Sequence, residues 1–280
     1  MRPPIDGSVV VITGASSGIG EAMARILAER ASVIALVARR VARLEALAAA
    51  LRSAHASLTV SVYPCDLTDL DAAEAMVSSV EEAHGRIDVL INNAGLGDIG
   101  LFSASDWMKN RRMIDVNITA LLFLTHRVLP GMVERGRGGI LNVSSGFGLT
   151  WMPMFSAYVG TKHFVSGFTE SLRCELTGTG VVASHLCPGP VATEFEQHAG
   201  NDFGQSIPEV VFISADKCAR QGLRGFSRGK ALIIPGALSW LAISVGRLTP
   251  YWVFRLLYAP VGPLLRRRLQ AQRQEQEEQT

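Results

Sequence analysis

The sequence predicts an α/β fold: a doubly wound parallel sheet in a single domain, with an apolar helical C-terminal extension. Three observations predict it. Short, β-branched apolar runs recur without polar alternation, as strands covered on both faces require. Longer amphipathic runs separate them, which places crossover helices over the sheet. A glycine-rich turn, Thr13–Gly20, joins the first such strand to the first such helix. With 280 residues, 48% of them hydrophobic, the chain can bury one large core.

Taken in order, Ser8–Thr13 (SVVVIT) reads as a buried strand and Glu21–Arg30 as a helix with Met23, Ile26 and Leu27 on one side. Ser32–Ala38 is a second strand, and the Ala/Leu-rich Arg43–Ser53 a second helix. Thr59–Leu67 supplies a third strand and its exit loop, Asp71–His84 a helix, and Ile87–Asn93 a fourth strand. Gly138–Ser145, Val181–Gly189 and Lys230–Gly236 are further strands, with helical stretches between. There is no internal repeat. This reading divides the chain into a catalytic domain over residues 1–236, an apolar extension over 237–265 and a polar, Gln- and Glu-rich tail over 266–280.

The extension is uncharged from Ala231 to Gly246, is then punctuated by Arg247 and Arg255, and is broken by Pro235 and Pro250. Two short helices divided near Pro250 are expected. Neither reaches the roughly twenty apolar residues of a spanning helix. So apolar a segment needs a cover, and three are open: the substrate cleft, a second subunit, or a membrane surface. Under any of these Trp240 and Trp252 are expected in poorly hydrated sites.

Composition excludes several classes. The formal net charge is +2 and no Lys/Arg block covers a domain face, which argues against nucleic acid. The cysteines at 65, 174, 187 and 218 form no CxxC and have no zinc-like histidine spacing, so no metal is expected; they read as reduced, mostly buried thiols of a cytoplasmic protein. The apolar run Val9–Ile12 is too short for the core of a signal peptide.

The glycine turn carries the first chemistry. Glycines at 14, 18 and 20 allow a tight turn and close approach of backbone N–H groups to a pyrophosphate, and the following helix presents its positive end. The spacing is G-x3-G-x-G rather than G-x-G-x-x-G. The second strand then ends at Ala38, where an NAD-binding fold usually carries a carboxylate, and Arg39 and Arg40 follow. A guanidinium pairs with a 2′-phosphate that a carboxylate would repel, so NADP(H) is the expected cofactor, with Arg39 carrying most of the argument.

The second chemistry lies in FSAYVGTKHF, Phe155–Phe164. Tyr158 and Lys162 are four residues apart, one turn on the same helical face. A tyrosine ordinarily titrates near 10. A lysine cation about 5 Å away, at an effective dielectric near 20, favours the phenolate by about 3 kcal/mol. The expectation is therefore a tyrosine tuned downward, towards proton exchange with a carbonyl oxygen near neutrality.

The motifs TGASSGIG, CDL with Asp66, NNAG (Asn92–Gly95), DVN with Asn117, NVSS with Ser145, YVGTK and PGPVAT (Pro188–Thr193) follow in that order. In this the chain resembles the short-chain dehydrogenases/reductases from about Ser8 to Gly236. The resemblance implies a Rossmann-type NADP(H)-dependent oxidoreductase, a carbonyl reductase or alcohol dehydrogenase. Tyr158 would be the acid/base, Lys162 its partner, Ser145 the substrate-binding hydroxyl, and Asn117 part of the helix distortion that serves a proton relay. Gly14, Ser16, Ser17, Gly18, Ile19 and Gly20 would form the cofactor turn. Arg39 and Arg40 would face the 2′-phosphate, Asp66 and Leu67 the adenine, and Asn93, Ala94 and Gly95 the adenosine ribose. Lys162 would hold the nicotinamide ribose hydroxyls and Thr193 the carboxamide, with Tyr158, Pro188, Gly189 and Val191 also among the cofactor-binding residues. A homodimer or homotetramer is implied. The glycine turn departs from many NADP-dependent relatives in carrying Ser16 and Ser17 where a second basic residue is common.

Between Ser145 and Tyr158, Phe147, Leu149, Trp151, Met152, Met154 and Phe155 make an apolar edge that suits an apolar ketone or alcohol. The loop from Thr193 to about Pro208 is the expected substrate lid. Two rival readings remain at this level: a non-catalytic NADP-binding regulator, and a peripheral membrane reductase of lipid ketones.

Overall fold

The structure is a computed structural model that describes residues 1–195, 199, 212–264 and 266. The expected lid beyond Phe195, apart from Ala199, and nearly all of the polar tail lie outside the described residues. The main strands are β1 (Val9–Thr13), β2 (Val33–Ala38), β3 (Thr59–Pro64), β4 (Val89–Asn92), β5 (Gly138–Val143) and β6 (Val181–Leu186). After them come a short parallel pair, β7 (Val191–Ala192) with β8 (Ile213–Ser214), and the last strand, β9 (Leu232–Ile233). Seven of them form one parallel sheet in the order β3-β2-β1-β4-β5-β6-β9. This is the doubly wound arrangement the sequence predicts. Its order reverses between β1 and β4, so a crevice opens at their carboxyl ends.

Strand alternation sorts the core into two layers. Val10, Ile12, Ile34 and Leu36 face helices α1 (Gly18–Leu27) and α2 (Val41–Ala54), through Met23, Leu27, Leu44 and Leu47. Val9, Val11, Ala35 and Val37 face the other side, where α3 (Leu70–His84), α5 (Leu121–Glu134) and α6 (Ser156–Glu175) contribute Val77, Leu124 and Leu172. Between α3 and α5 lie α4 (Trp107–Ile114) and a π-helical segment, Asp115–Ala120. The continuous helical run Trp107–Glu134 is long and apolar enough to cross a membrane by length and composition, yet its Leu121, Leu124, Val128 and Met132 are buried in the second core layer or beside it.

Helix α7 (Ala215–Ser227) packs on α1 and returns the chain to β9. Then α8 (Ala237–Leu248) and α9 (Tyr251–Tyr258), separated at Pro250, close the described chain. Several boundaries differ from expectation: the last strand shortens to Leu232–Ile233, and α1 runs from Gly18 to Leu27 rather than Glu21 to Arg30, so the last two glycines of the turn lie inside its first winding. Gly20 is there because its face is closed: a Cβ would meet the Asn93 side chain at 2.5 Å and the Gly14 carbonyl oxygen at 2.5 Å.

Candidate active site

The crevice is built first by side-chain bonds to the backbone. Thr13 Oγ1, at the end of β1, accepts the N–H groups of Asn93 and Ala94, each at 3.0 Å. Asn93 Nδ2 donates to the carbonyls of Thr13 at 2.9 Å and Gly14 at 3.2 Å. The NNAG segment thereby holds the glycine turn from the far side of the switch point. Gly14 has φ +66°, and a Cβ there would lie 2.8 Å from Ala94 Cα, so only glycine fits. Ser17 precedes α1 with extended backbone and makes no side-chain capping hydrogen bond, which leaves the first-turn N–H groups without a side-chain acceptor among the described residues beside the cleft. That is a fit for a pyrophosphate.

At the end of β2 both arginines line the cleft, with different partners. Arg39 is half-exposed and reaches only the Asp66 carboxylate, at 3.9 Å. Arg40 instead folds back on the turn: its Nε donates to Ser16 Oγ at 3.1 Å, one Nη donates to Ser17 Oγ, and the other meets Glu194 at 2.7 Å. Arg43 joins Glu194 at 2.6 Å. Hydrogen bonds from Arg40 and then Arg43 hold the Glu194 carboxyl at about 2. Ser16 and Ser17, which stand where a basic residue is common, are thus groups that orient Arg40. Asp66 is held by Arg112 at 2.6 Å. Burial opposes its ionisation, but hydrogen bonds from Thr68 and the charges of Arg112 and Arg39 outweigh that and lower its pKa.

At the centre, Ser145 Oγ accepts the Phe147 N–H at 3.1 Å, so its own proton is available to donate. Tyr158 is buried, with Phe195 at 5.5 Å and Phe147 at 6.5 Å between ring centroids. Lys162 Nζ donates to the Val143 carbonyl at 2.9 Å and stands 5.8 Å from the Tyr158 ring centroid. The helix therefore brings the pair together as its spacing predicts. The direction of tuning does not follow. Burial pushes Tyr158 up to about 12 against the opposing hydrogen bond from Ser145, and burial pushes Lys162 down to about 8. The lysine is turned to a backbone carbonyl, and desolvation of both groups dominates.

Asn117 lies in the π-helical segment. Its Oδ1 accepts the Leu96 N–H at 2.8 Å, and its Nδ2 donates to the Leu96 carbonyl at 2.9 Å and to Thr161 Oγ1 at 3.1 Å. It ties the NNAG exit to the Tyr–Lys helix.

One cleft of about 680 Å³ runs from the glycine turn to the C-terminal helices. All the sequence-predicted site residues line it except Gly20 and Asn117, which stand directly behind its wall. Its far end is aromatic: Trp151 packs 5.4 Å from both Phe254 and Tyr258. Leu238, Ile243 and Phe254 from α8 and α9 complete that wall. Sequence reasoning missed Arg112, Glu194, Ile243 and Phe254 as individual residues. The helical period of the extension, with Ser239 and Ile243 four apart and facing in, was the available signal. Trp240 and Trp252 are exposed in the isolated chain, at 56% and 62%, because α8 and α9 turn other residues to the cleft. Among the described residues no group of His, Cys, Asp or Glu is arranged to hold a metal ion.

Comparison with known proteins agrees with this architecture. The family model of the short chain dehydrogenases matches residues 8–203. The chain belongs to the short-chain dehydrogenase/reductase family and is an oxidoreductase of that family. It is 39% identical over 221 residues to an uncharacterized oxidoreductase of Staphylococcus saprophyticus, covering 77% of this chain and 88% of that one. Among solved structures it is similar to a short-chain dehydrogenase from Sphingobium yanoikuyae in complex with NADPH, with 35% identity, a TM-score of 0.74, and 86% and 93% of the two chains covered. It is also similar to the bulky-bulky ketone specific alcohol dehydrogenase from Comamonas testosteroni, with 28% identity, a TM-score of 0.73, and 86% and 92% covered.

Proposed function

We propose that the chain is an NADP(H)-dependent reductase of an apolar ketone, or dehydrogenase of the matching secondary alcohol, with Tyr158 as the acid/base. The observation that carries this reading is the place of Ser145, Tyr158 and Lys162. They sit where a cofactor-shaped, polar half of the cleft meets an aromatic half.

NADP(H), when bound, supplies or accepts the hydride at the carbonyl carbon. Everything else falls to this chain. The α1 N-terminus and glycine turn would hold the pyrophosphate. Arg40 and Arg43, which bind the Glu194 carboxylate here, are the groups that would hold a 2′-phosphate. Lys162 would hold ribose hydroxyls. In reduction, Tyr158 Oη gives its proton to the carbonyl oxygen, and Ser145 Oγ–H donates a hydrogen bond to the same oxygen as negative charge develops there. A phenol held up to about 12 is fully protonated at neutral pH, which suits this direction. The NADPH complex of the Sphingobium yanoikuyae relative supports the cofactor, and the bulky-ketone specificity of the Comamonas testosteroni enzyme supports a large apolar substrate. A purely cofactor-sensing role is less favoured, because a sensor has no need of the Ser145 hydroxyl set against a buried Tyr158.

The test is NADPH oxidation against a panel of ketones graded in bulk and polarity, with NADH in parallel. Turnover is expected with bulky aryl or polycyclic ketones and NADPH. No turnover across the panel, with NADPH bound tightly, would instead favour the sensor.

A further inference from the structure

We propose that the outer faces of α8 and α9 dock on the surface of an anionic lipid bilayer, with the mouth of the cleft at the lipid boundary. The inner sides of these helices wall the cleft through Ile243 and Phe254. Their outer sides carry an unbroken apolar surface: Trp240, Leu241, Val245 and Leu248 on α8, then Trp252 and Leu256 on α9, each more than half exposed. A patch of this kind marks a binding face.

Charge selects the occupant. Arg247, Arg255 and Arg266 are exposed on and beside the two helices, and among the described residues none is in an ion pair. Between Asp216 and Glu275 the sequence has no carboxylate side chain. A second copy meeting this face about a two-fold axis would bring a further set of these arginines and no carboxylate from the same segment. Anionic headgroups answer all three arginines at once. Indole and phenol rings among aliphatic residues, edged by arginine, are the composition that settles at the headgroup level. Helix α8 has 12 residues and cannot span a bilayer, so the contact lies in the plane of the surface. Leu238, Phe254 and Tyr258 line the cleft from these same helices, so an apolar molecule would pass from lipid to cleft without crossing bulk water.

The docking rests on the exposed face and not on the redox reading, and its test needs no turnover. The full-length protein is floated with vesicles of phosphatidylcholine alone and with vesicles containing about 30% phosphatidylglycerol, while tryptophan emission is recorded. The protein is expected to float with the anionic vesicles, with a blue shift, and to be partly released by salt. The double variant Leu241→Glu, Leu256→Glu, at positions outside the cleft lining, is expected to lose at least about ten-fold in partitioning while binding NADPH as before. Failure of the wild-type protein to float with either vesicle overturns the proposal. So does flotation of the double variant equal to wild type. So does a dimer that the double variant converts to monomer with no vesicle binding by either protein, which would make the face a contact between copies. Loss of NADPH binding with flotation intact would strike the cofactor reading alone.

Discussion

Around Tyr158 the rings of Phe147, Phe155 and Phe195 exclude water, and that exclusion decides its chemistry. Tyr158→Phe keeps the ring packing and removes the proton. Turnover of an established ketone should fall by about a hundred-fold or more with the Kd for NADPH unchanged, in steady-state and binding measurements. A near-normal rate would remove Tyr158 from the mechanism. The two directions of reaction should separate with pH. Reduction uses the protonated phenol and needs no deprotonation below about 12. Oxidation needs the phenolate, so its kcat/KM should climb with pH through the alkaline range while reduction does not. Lys162 gives a stability signature. It titrates at about 8 folded against 10.5 unfolded, so between those values the unfolded chain binds the extra proton and stability rises with pH. The Lys162 contribution should be on the order of 3 kcal/mol, read as the difference between wild type and Lys162→Met in urea titrations near pH 7 and pH 10, because burial raises the Cys65, Cys187 and Cys218 thiols to about 11, 11 and 12 and their contribution falls over the same range. The Tyr–Lys spacing was legible because helical period alone sets it. The sign of the tyrosine's shift was not, because the burial comes from loops distant in sequence, Phe195 among them.

The β1–α1 turn shows what an element adds to its residues. Its glycines and position were legible from the strand before and the helix after. The clasp of Arg40 on Ser16, Ser17 and Glu194 was not, since Arg40 and Glu194 lie 154 positions apart and meet only after the sheet has formed. The wild-type protein should prefer NADPH to NADH. Arg40→Ala should erode that preference about ten-fold or more, Arg39→Ala less, and Ala38→Asp should move it towards NADH, measured as the ratio of kcat/KM values. Equal use of the two cofactors by wild type would reduce Arg40 to a loop fastener. The distorted segment Asp115–Ala120 belongs to the same scale. DVN was readable as a motif, but the π-helical winding that turns Asn117 onto Leu96 is a property of the packed helix.

For the whole molecule, the parallel sheet and its order of elements were legible from apolar runs, because covered strands have no polar face to disguise them. The exposure of Trp240 and Trp252 was not, since composition does not say which side of a helix meets the cleft. A chain ending at Gly236 loses Ile243 and Phe254 from the wall. It should still bind NADPH, and its KM for bulky ketones should rise about ten-fold or more while small ketones are little affected. An unchanged KM would make the two helices dispensable to recognition. Phe226 is fully buried between α7 and the sheet, and Phe226→Ala should cost about 3–5 kcal/mol in denaturant unfolding.

The sheet order also governs how the molecule comes into being. β1 cannot pair with β4 until Val89 has followed Val10 out, and β6 waits for Ile233. Every such pairing closes a long loop before any contact rewards it, which makes assembly slow. On the ribosome, where about 5–20 residues appear each second, the glycine turn and its clasp are synthesised before α8 and α9. For that interval the aromatic end of the cleft lacks its wall of Ile243 and Phe254 and stands open to chaperones.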